Sequence, residues 1–372
     1  MTVIGAKRVT LAAFRCALLC WFALLAGCVR LPPTHLGSLN ARDYSSTDLG
    51  AYRGCFAAEY DFGSAPSALL TVTFLGTTSL LFDDGADQIM IDGFVSRPAV
   101  HALVFKKIES DWSEIERVLE AIRARRVGGV FVAHAHYDHA FDSAHVAKWT
   151  GARLYGSPSV LNLGHGAGLP VGQLLPLRPQ SEVEVGAFRI VALPSVHSLP
   201  DWYNNNLGQE IALPMSQPLR ARDMVEGGSF DLLIRHRNRT ILIRPAAGYR
   251  AGDLAGVTAD ILFLAVGSLG NQTPSYRRAF FEETVGRVGP RLVVPTHWDS
   301  PFRDLGEPLR GTPEAIDNVR VGLDAVIEPA RGRDIEVLML NGLQRIPLDG
   351  HFRDAPGNAP RARTVGECPP RR

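Results

Sequence analysis

Apolar positions along this chain change period several times. Leu69–Leu75 and Ser79–Phe82 alternate or run apolar on either side of Gly76-Thr77-Thr78, and Gln88–Ile91 follows the turn at Asp84-Gly85. Short runs of this kind, closed by turn residues, predict strands. The spacing then shifts to helical. Ile115, Val118, Leu119 and Ile122 fall at i, i+3, i+4 and i+7, so a helix is expected over Ser113–Arg126, opened by a Ser113/Glu116 capping box and closed by Arg123, Arg125 and Arg126. Val130–Ala133 reads as a short buried strand.

The second half repeats the alternation. Strands are expected at Phe188–Leu193, Ile261–Val266, Leu292–Val294 and Ile335–Leu340, with a hairpin of Asp231–Ile234 and Thr240–Ile243 around Arg237-Asn238. Thr273-Pro274 and Thr312-Pro313 each place a capping Thr before a Pro at the first helical position, and the second precedes an apolar face of Ile316, Val319, Leu323, Val326 and Ile327. Strand pairs interleaved with capped helices predict an α/β domain, over residues 67–349, with mixed sheets and helices outside. Residues 28–66, rich in Pro, Ser, Gly and Asp, read as a tether, and 350–372 as an irregular tail.

Composition narrows the function classes. The 372 residues are 46% hydrophobic and 21% charged, an ordinary globular balance. With 39 basic and 38 acidic residues the net charge is +1, without the basic surplus expected of a nucleic-acid binder. The first 27 residues carry Lys7, Arg8 and Arg15, then the uncharged stretch Cys16 to Gly27, too short for a bilayer span and right for the apolar core of a signal peptide. Leu25-Ala26-Gly27-Cys28 resembles a bacterial lipobox. That resemblance implies lipidation of Cys28, cleavage before it, and a mature chain of net charge −2 facing the periplasm. Val29 after the cysteine makes the outer membrane the expected location. The alternative is an ordinary signal peptide in which Cys28 is incidental. Two cysteines then remain beyond the anchor. In an oxidising compartment Cys55 and Cys368 are expected to pair, the alternative being two free thiols. Closing so long a loop contributes about 5 kcal/mol on the chain-entropy model.

The chemistry lies in the histidines. His134-Ala135-His136-Tyr137-Asp138-His139 follows the apolar strand, at its C-terminal end, where α/β folds place their sites. His134 and His136, two apart in extended backbone, face one way and can reach one ion. A turn at Tyr137 sends Asp138 and His139 toward another. Imidazole and carboxylate donors suit zinc. Nothing in the sequence offers a competing nucleophile motif, P-loop or dinucleotide fingerprint. His35, His101, His145, His165, His236 and His351 have no partners at ligand spacing and read as surface or core residues.

From Leu69 to Leu348 the sequence resembles the metallo-β-lactamase superfamily, nearest to its ascorbate-phosphate lactonase-like and N-acyl-phosphatidylethanolamine phospholipase D-like branch. The resemblance implies an αββα sandwich and a zinc-activated water that attacks an ester, lactone or phosphodiester. It implies His134, His136 and His197 as ligands of one ion, and Asp138, His139 and His297 as ligands of another. Asp138 would also orient the water, and Asp92 would support the metal loop from behind its ligands. One position departs from the pattern. The carboxylate that bridges both ions in the family aligns with Ala246, and Asp253 is too far along the chain to replace it. One tight ion and a weaker or absent second are therefore expected. The alternative is a lipoprotein that binds metal or ligand and no longer catalyses.

Leu199–Gly228, with Trp202, Tyr203 and Met215, is a candidate lid over a small-molecule or lipid substrate, or a loop that its aromatics pack down. Arg97 and Arg244 are expected to be solvated, the alternative being a grip on an anionic group.

Overall fold

The computed structural model describes residues 46–63, 69–200, 205–306 and 308–368. The expected signal peptide, Cys28, the first part of the tether, His35, Trp202 and Tyr203 lie outside the described residues. The unit from Ser45 to Arg372 is compact.

Its strands and helices follow in order: β1 (Thr71–Phe74), β2 (Leu80–Asp83), β3 (Gln88–Ile91), α1 (Val100–Phe105), α2 (Trp112–Ala121), β4 (Val127–Phe131), α3 (Tyr137–Ala140), α4 (Ser143–Thr150), β5 (Arg153–Gly156), α5 (Pro158–Gly166), β6 (Leu174–Pro176), β7 (Glu182–Val185), β8 (Phe188–Pro194), β9 (Phe230–His236), β10 (Arg239–Arg244), β11 (Ile261–Ala265), α6 (Pro274–Phe281), β12 (Leu292–Thr296), α7 (Val319–Arg331), β13 (Glu336–Val337) and β14 (Arg345–Pro347). Two seven-stranded sheets form, ordered β14-β1-β2-β3-β4-β5-β6 and β13-β12-β11-β10-β9-β8-β7. Each is mixed. The first is antiparallel from β14 to β3 and parallel from β3 to β6. The second is parallel from β13 to β10 and antiparallel from β10 to β7. Phe82 of β2 meets Phe263 of β11 edge to face, 5.6 Å between centroids, so the inner faces of the two sheets share one core. Central β11 is buried at every position, as expected of a strand covered on both sides. Helices flank the sheets. The buried faces of α2 (Ile115, Val118, Leu119) and α7 (Val319, Leu323, Val326, Ile327) are the stripes their spacing predicts.

Several local expectations are corrected. The capping box at Ser113 is not used. Asp111 caps α2 instead, accepting from the Glu114 amide at 3.1 Å and from the Ser113 hydroxyl at 2.6 Å. A carboxylate two residues upstream competes well with a serine for the same orphan amides. The helix ends at Ala121 because Arg123 turns to φ +57°, short of the expected Arg126. Thr312 does not open a helix. Its hydroxyl donates to the Asp299 carbonyl and its carbonyl accepts from Thr47, so it ties loops together, and α7 starts at Val319 under Asn318.

The stretch read as a tether is docked from residue 46 to 57. A 3₁₀ turn over Gly50–Cys55 buries Tyr52 and Cys55, and the Tyr52 hydroxyl bonds Asp324 at 2.7 Å. A single 3₁₀ turn has no strand or amphipathic-helix period, which is why the sequence pattern missed it. Cys55 and Cys368 form a disulfide, with Cα atoms 4.3 Å apart. The tail runs irregularly back along residues 56–58, pairing Val365 with Phe56 and Ala58 with Arg363. Phe56 in turn packs edge to face on Trp298, next to His297.

Candidate metal centre

The strand ends converge on one place. His134, His136, Asp138 and His139 follow β4, His197 follows β8, and His297 follows β12. Asp92, just past β3, sits beneath them. It accepts from the Ala133 amide through Oδ1 at 2.9 Å, and its Oδ2 meets the His139 Nδ1 at 2.8 Å and the Thr78 hydroxyl. The carboxylate thus fixes both the chain entering the His134 segment and the orientation of the His139 ring, leaving Nε2 of that ring for a ligand.

His134, His136 and His197 form a near-equilateral triangle, with ring centroids 4.7–4.9 Å apart. The Nδ1 of His136 faces the Nε2 of His197 at 3.2 Å. Asp138, His139 and His297 make the second group, in which Asp138 Oδ2 lies 3.1 Å from His297 Nε2. In each triad one ligand atom per residue lies within 4.8 Å of the others. The rings of His134 and His139, only 3.9 Å apart between centroids, make the triads neighbours.

The fit to a metal can be tested on His134. Its ring is fully buried, and among the described residues neither ring nitrogen has a hydrogen-bond partner. Leaving a buried polar group unpaired costs about 1–3 kcal/mol, a cost that a bound cation removes. Burial pushes His134 well below the ordinary histidine range, with the neighbouring histidines adding to it. Burial, reinforced by His136 and His139, takes His197 down to about 3. His136 is also lowered by burial, though Asp138 and Asn206 oppose it. Three neutral imidazoles at pH 7 are the protonation state that a metal requires.

The second triad is electrostatically different. Burial raises the Asp138 carboxyl, but His139, His297 and His136 outweigh it and hold it far below the usual carboxylate range. Burial lowers His297, but its bond to Asp138 more than compensates, so its pKa is raised. These two residues already satisfy each other. His297 also sits in strained backbone. It, Thr77 and Asp92 all adopt left-handed φ of +48° to +57°, and the Thr77 carbonyl receives the His297 amide at 2.7 Å. Such residues cost about 1–3 kcal/mol each and persist where the surroundings over-determine them.

Ala246 is buried in the loop after β10. A Cβ added at Gly248 would stand 2.1 Å from the His197 carbonyl, so this loop presses directly on a ligand residue. The nearby carboxylates are committed elsewhere. Asp231 is bonded to Ser195 at 2.7 Å and Arg244 at 2.5 Å, and Asp253 lies 3.9 Å from Arg250.

The two arginines expected in solvent are both buried. Arg244 spans Asp231 and the Gly248 carbonyl, bracing the loop that carries Ala246. Arg97 joins Asp299 at 2.8 Å to the carbonyls of Leu75 and Ser300. Each neutralises a buried carboxylate: Arg97 that of Asp299, far along the chain, and Arg244 that of Asp231, across the β9–β10 hairpin. His236 and His351 are core residues, bonded to Asp84 and Glu336.

The candidate lid contributes a residue that the sequence did not single out. Asn206 Oδ1 lies 2.8 Å from His136 Nε2. Further along, the loop packs down: Gln217 accepts from the Ser110 amide and donates to the Phe141 carbonyl, and Leu219 pairs with Ile108.

The chain is similar to several known proteins. The profile of the Metallo-beta-lactamase superfamily matches residues 72–216. A "UPF0173 metal-dependent hydrolase" of Pyrobaculum arsenaticum is 23% identical over 255 residues, 68% of this chain and 95% of the relative. Another from Heliobacterium modesticaldum is 29% identical over 89 residues, 24% of this chain and 30% of its own length. Among solved structures, Igni18, a metallo hydrolase of Ignicoccus hospitalis, is similar over 74% of this chain and 97% of its own, with 14% identity and a TM-score of 0.43. CmlA, a diiron β-hydroxylase of Streptomyces venezuelae, is similar over 75% of this chain and 54% of its own, with 14% identity and a TM-score of 0.48.

Proposed function

We propose that this chain is a metal-dependent hydrolase of the metallo-β-lactamase type, using zinc at His134, His136 and His197 to cleave an ester, lactone or phosphodiester. The observation that carries the reading is the fully buried His134, which has no hydrogen-bond partner among the described residues and forms a triangle of imidazoles with His136 and His197. The chemistry zinc supplies in such a triad is Lewis acidity, polarising a substrate oxygen and acidifying water. The chain's own residues do the rest. His134, His136 and His197 present lone pairs without first losing protons. Asp138, ionised throughout the working pH range, is an acceptor that orients a water rather than a strong base, because a carboxylate held so low takes up a proton poorly. Asp92 keeps His139 aimed at the second position. Lipidation at Cys28 would hold the unit at the periplasmic face of the outer membrane, giving it lipid or envelope-derived substrates. The −2 charge of the mature chain disfavours nucleic acid.

Metal analysis of the purified protein, joined to a panel of activated esters, lactones and phosphodiesters, tests this. About one retained zinc with turnover of at least one class is expected. Protein that retains no zinc after loading and dialysis would defeat the proposal. A second reading, a metal binder without turnover, draws on Ala246 where the bridging carboxylate is expected. Firm zinc with no turnover on the whole panel would favour it.

A further inference from the structure

The loop between β8 and β9 carries His197 and, further along, brings Asn206 back to the metal triad. Asn206 places its Oδ1 2.8 Å from the Nε2 of His136, while the Nδ1 of the same ring faces His197. An acceptor on Nε2 requires the proton there, and that leaves the Nδ1 lone pair pointing into the triad. Asn206 itself is held by a clip. Glu226 accepts from the Gly208 amide at 2.6 Å and from the Ser229 hydroxyl at 2.7 Å, and the Gly227 amide donates to the Gln209 carbonyl at 2.9 Å. The far side of the clip is bound to the ligand segment, since the Glu226 carbonyl accepts from the Ala135 amide, between His134 and His136, at 2.8 Å. Gly227 makes that approach possible. A Cβ there would come within 2.4 Å of the Ser159 side chain and 3.2 Å of the Ala135 methyl.

We propose that Asn206 is a positioning residue for the metal ligand His136, and that through it the affinity for metal depends on whether residues 206–209 are seated on the clip. This rests on the reading of His134, His136 and His197 as a metal triad. Seated, the loop holds His136 in one tautomer and one orientation. Lifted, it frees the ring to rotate and to exchange tautomers, so the ion loses a preorganised ligand. Linkage makes the effect reciprocal: an ion in the triad favours the seated loop by the same factor. Substrate that displaces the loop would therefore loosen the ion, and an ion in place would help to close the loop over substrate.

The test uses the full chain and three variants. Asn206→Ala removes the acceptor, Asn206→Asp keeps an oxygen in the same place, and Asn206→Leu removes the acceptor at similar size should the alanine variant fold poorly. Two readouts are taken: zinc affinity in competition with a chelator, and the ring-nitrogen NMR shifts of His136 in metal-free protein. Asn206→Ala should weaken zinc by about 10–100-fold, the usual effect of losing a partner behind a metal-bound histidine, and should convert His136 from the single Nε2–H form to a mixture. Asn206→Asp should restore most of the affinity and the single tautomer. Unchanged affinity together with an unchanged single tautomer in Asn206→Ala would overturn the proposal. Wild-type protein that binds no zinc would defeat the functional reading instead, and the tautomer of His136 would then decide this one alone.

Discussion

Burial holds His134, His136 and His197 below the ordinary histidine range, and among the described residues His134 finds no hydrogen-bond partner. Asp138 and His297, one ring away, already neutralise each other across 3.1 Å, and His139 is tied to Asp92 from behind. An ion entering the first triad supplies contacts that the fold lacks. An ion entering the second must first break a favourable pair. On the expected alignment of Ala246 with the bridging carboxylate it also gains no such ligand, and Asp231 is locked to Arg244. Two clusters of similar ligand type should therefore differ in affinity for a reason that lies outside the ligands: how well each is satisfied before metal arrives.

The comparison breaks most severely at His134. His134→Ala should reduce tightly held zinc from about one equivalent to below about a tenth, by elemental analysis after dialysis, because two imidazoles do not make a stable site. Retention of a full equivalent would remove His134 from the ligand set. Asp138→Ala should separate the triads. Zinc at the first is expected to stay, while kcat falls by about 100-fold or more with the loss of the orienting carboxylate. A variant with wild-type kcat would strip Asp138 of that role. Asp92→Asn should leave the first ion in place and weaken any ion at the second triad by about 10–100-fold, since an amide no longer accepts from His139 on the same terms. Equal loss at both triads, by competition titration, would contradict the assignment of Asp92 to His139. The smallest change is a gain. Ala246→Asp should add a negative charge beside the second triad and raise occupancy there toward a second equivalent, with the first unchanged. Unaltered stoichiometry would mean that position 246 does not face the ions.

Most of the centre was legible because its parts are local. Four candidate ligands fall within six residues after a buried strand, and spacing alone points two of them at one site. His197 and His297 came only with the resemblance to a family, since nothing in their spacing ties them to the cluster. What escaped the sequence was non-local. Arg97 reads as a surface charge because its partner, Asp299, is brought to it by the fold, whereas Arg244 meets Asp231 across the β9–β10 hairpin, a pairing that hairpin register could have signalled. Asn206 carries no motif, and only the packing of the loop on Ala135 and Glu226 turns it toward His136. In the fold, sheet strands with clear periods were readable, whereas the turn at Gly50–Cys55 and the cap at Asp111 were decided by burial and by competition between two capping residues two positions apart.

The ranking of the two triads can be read in one titration. Zinc is added to metal-free protein against a chelator of known affinity, while histidine ring-nitrogen shifts report each ligand separately. The shifts of His134, His136 and His197 should move together over the first equivalent, with His139 and His297 following only at much higher free zinc. Both sets moving in parallel, or His139 and His297 moving first, would contradict it.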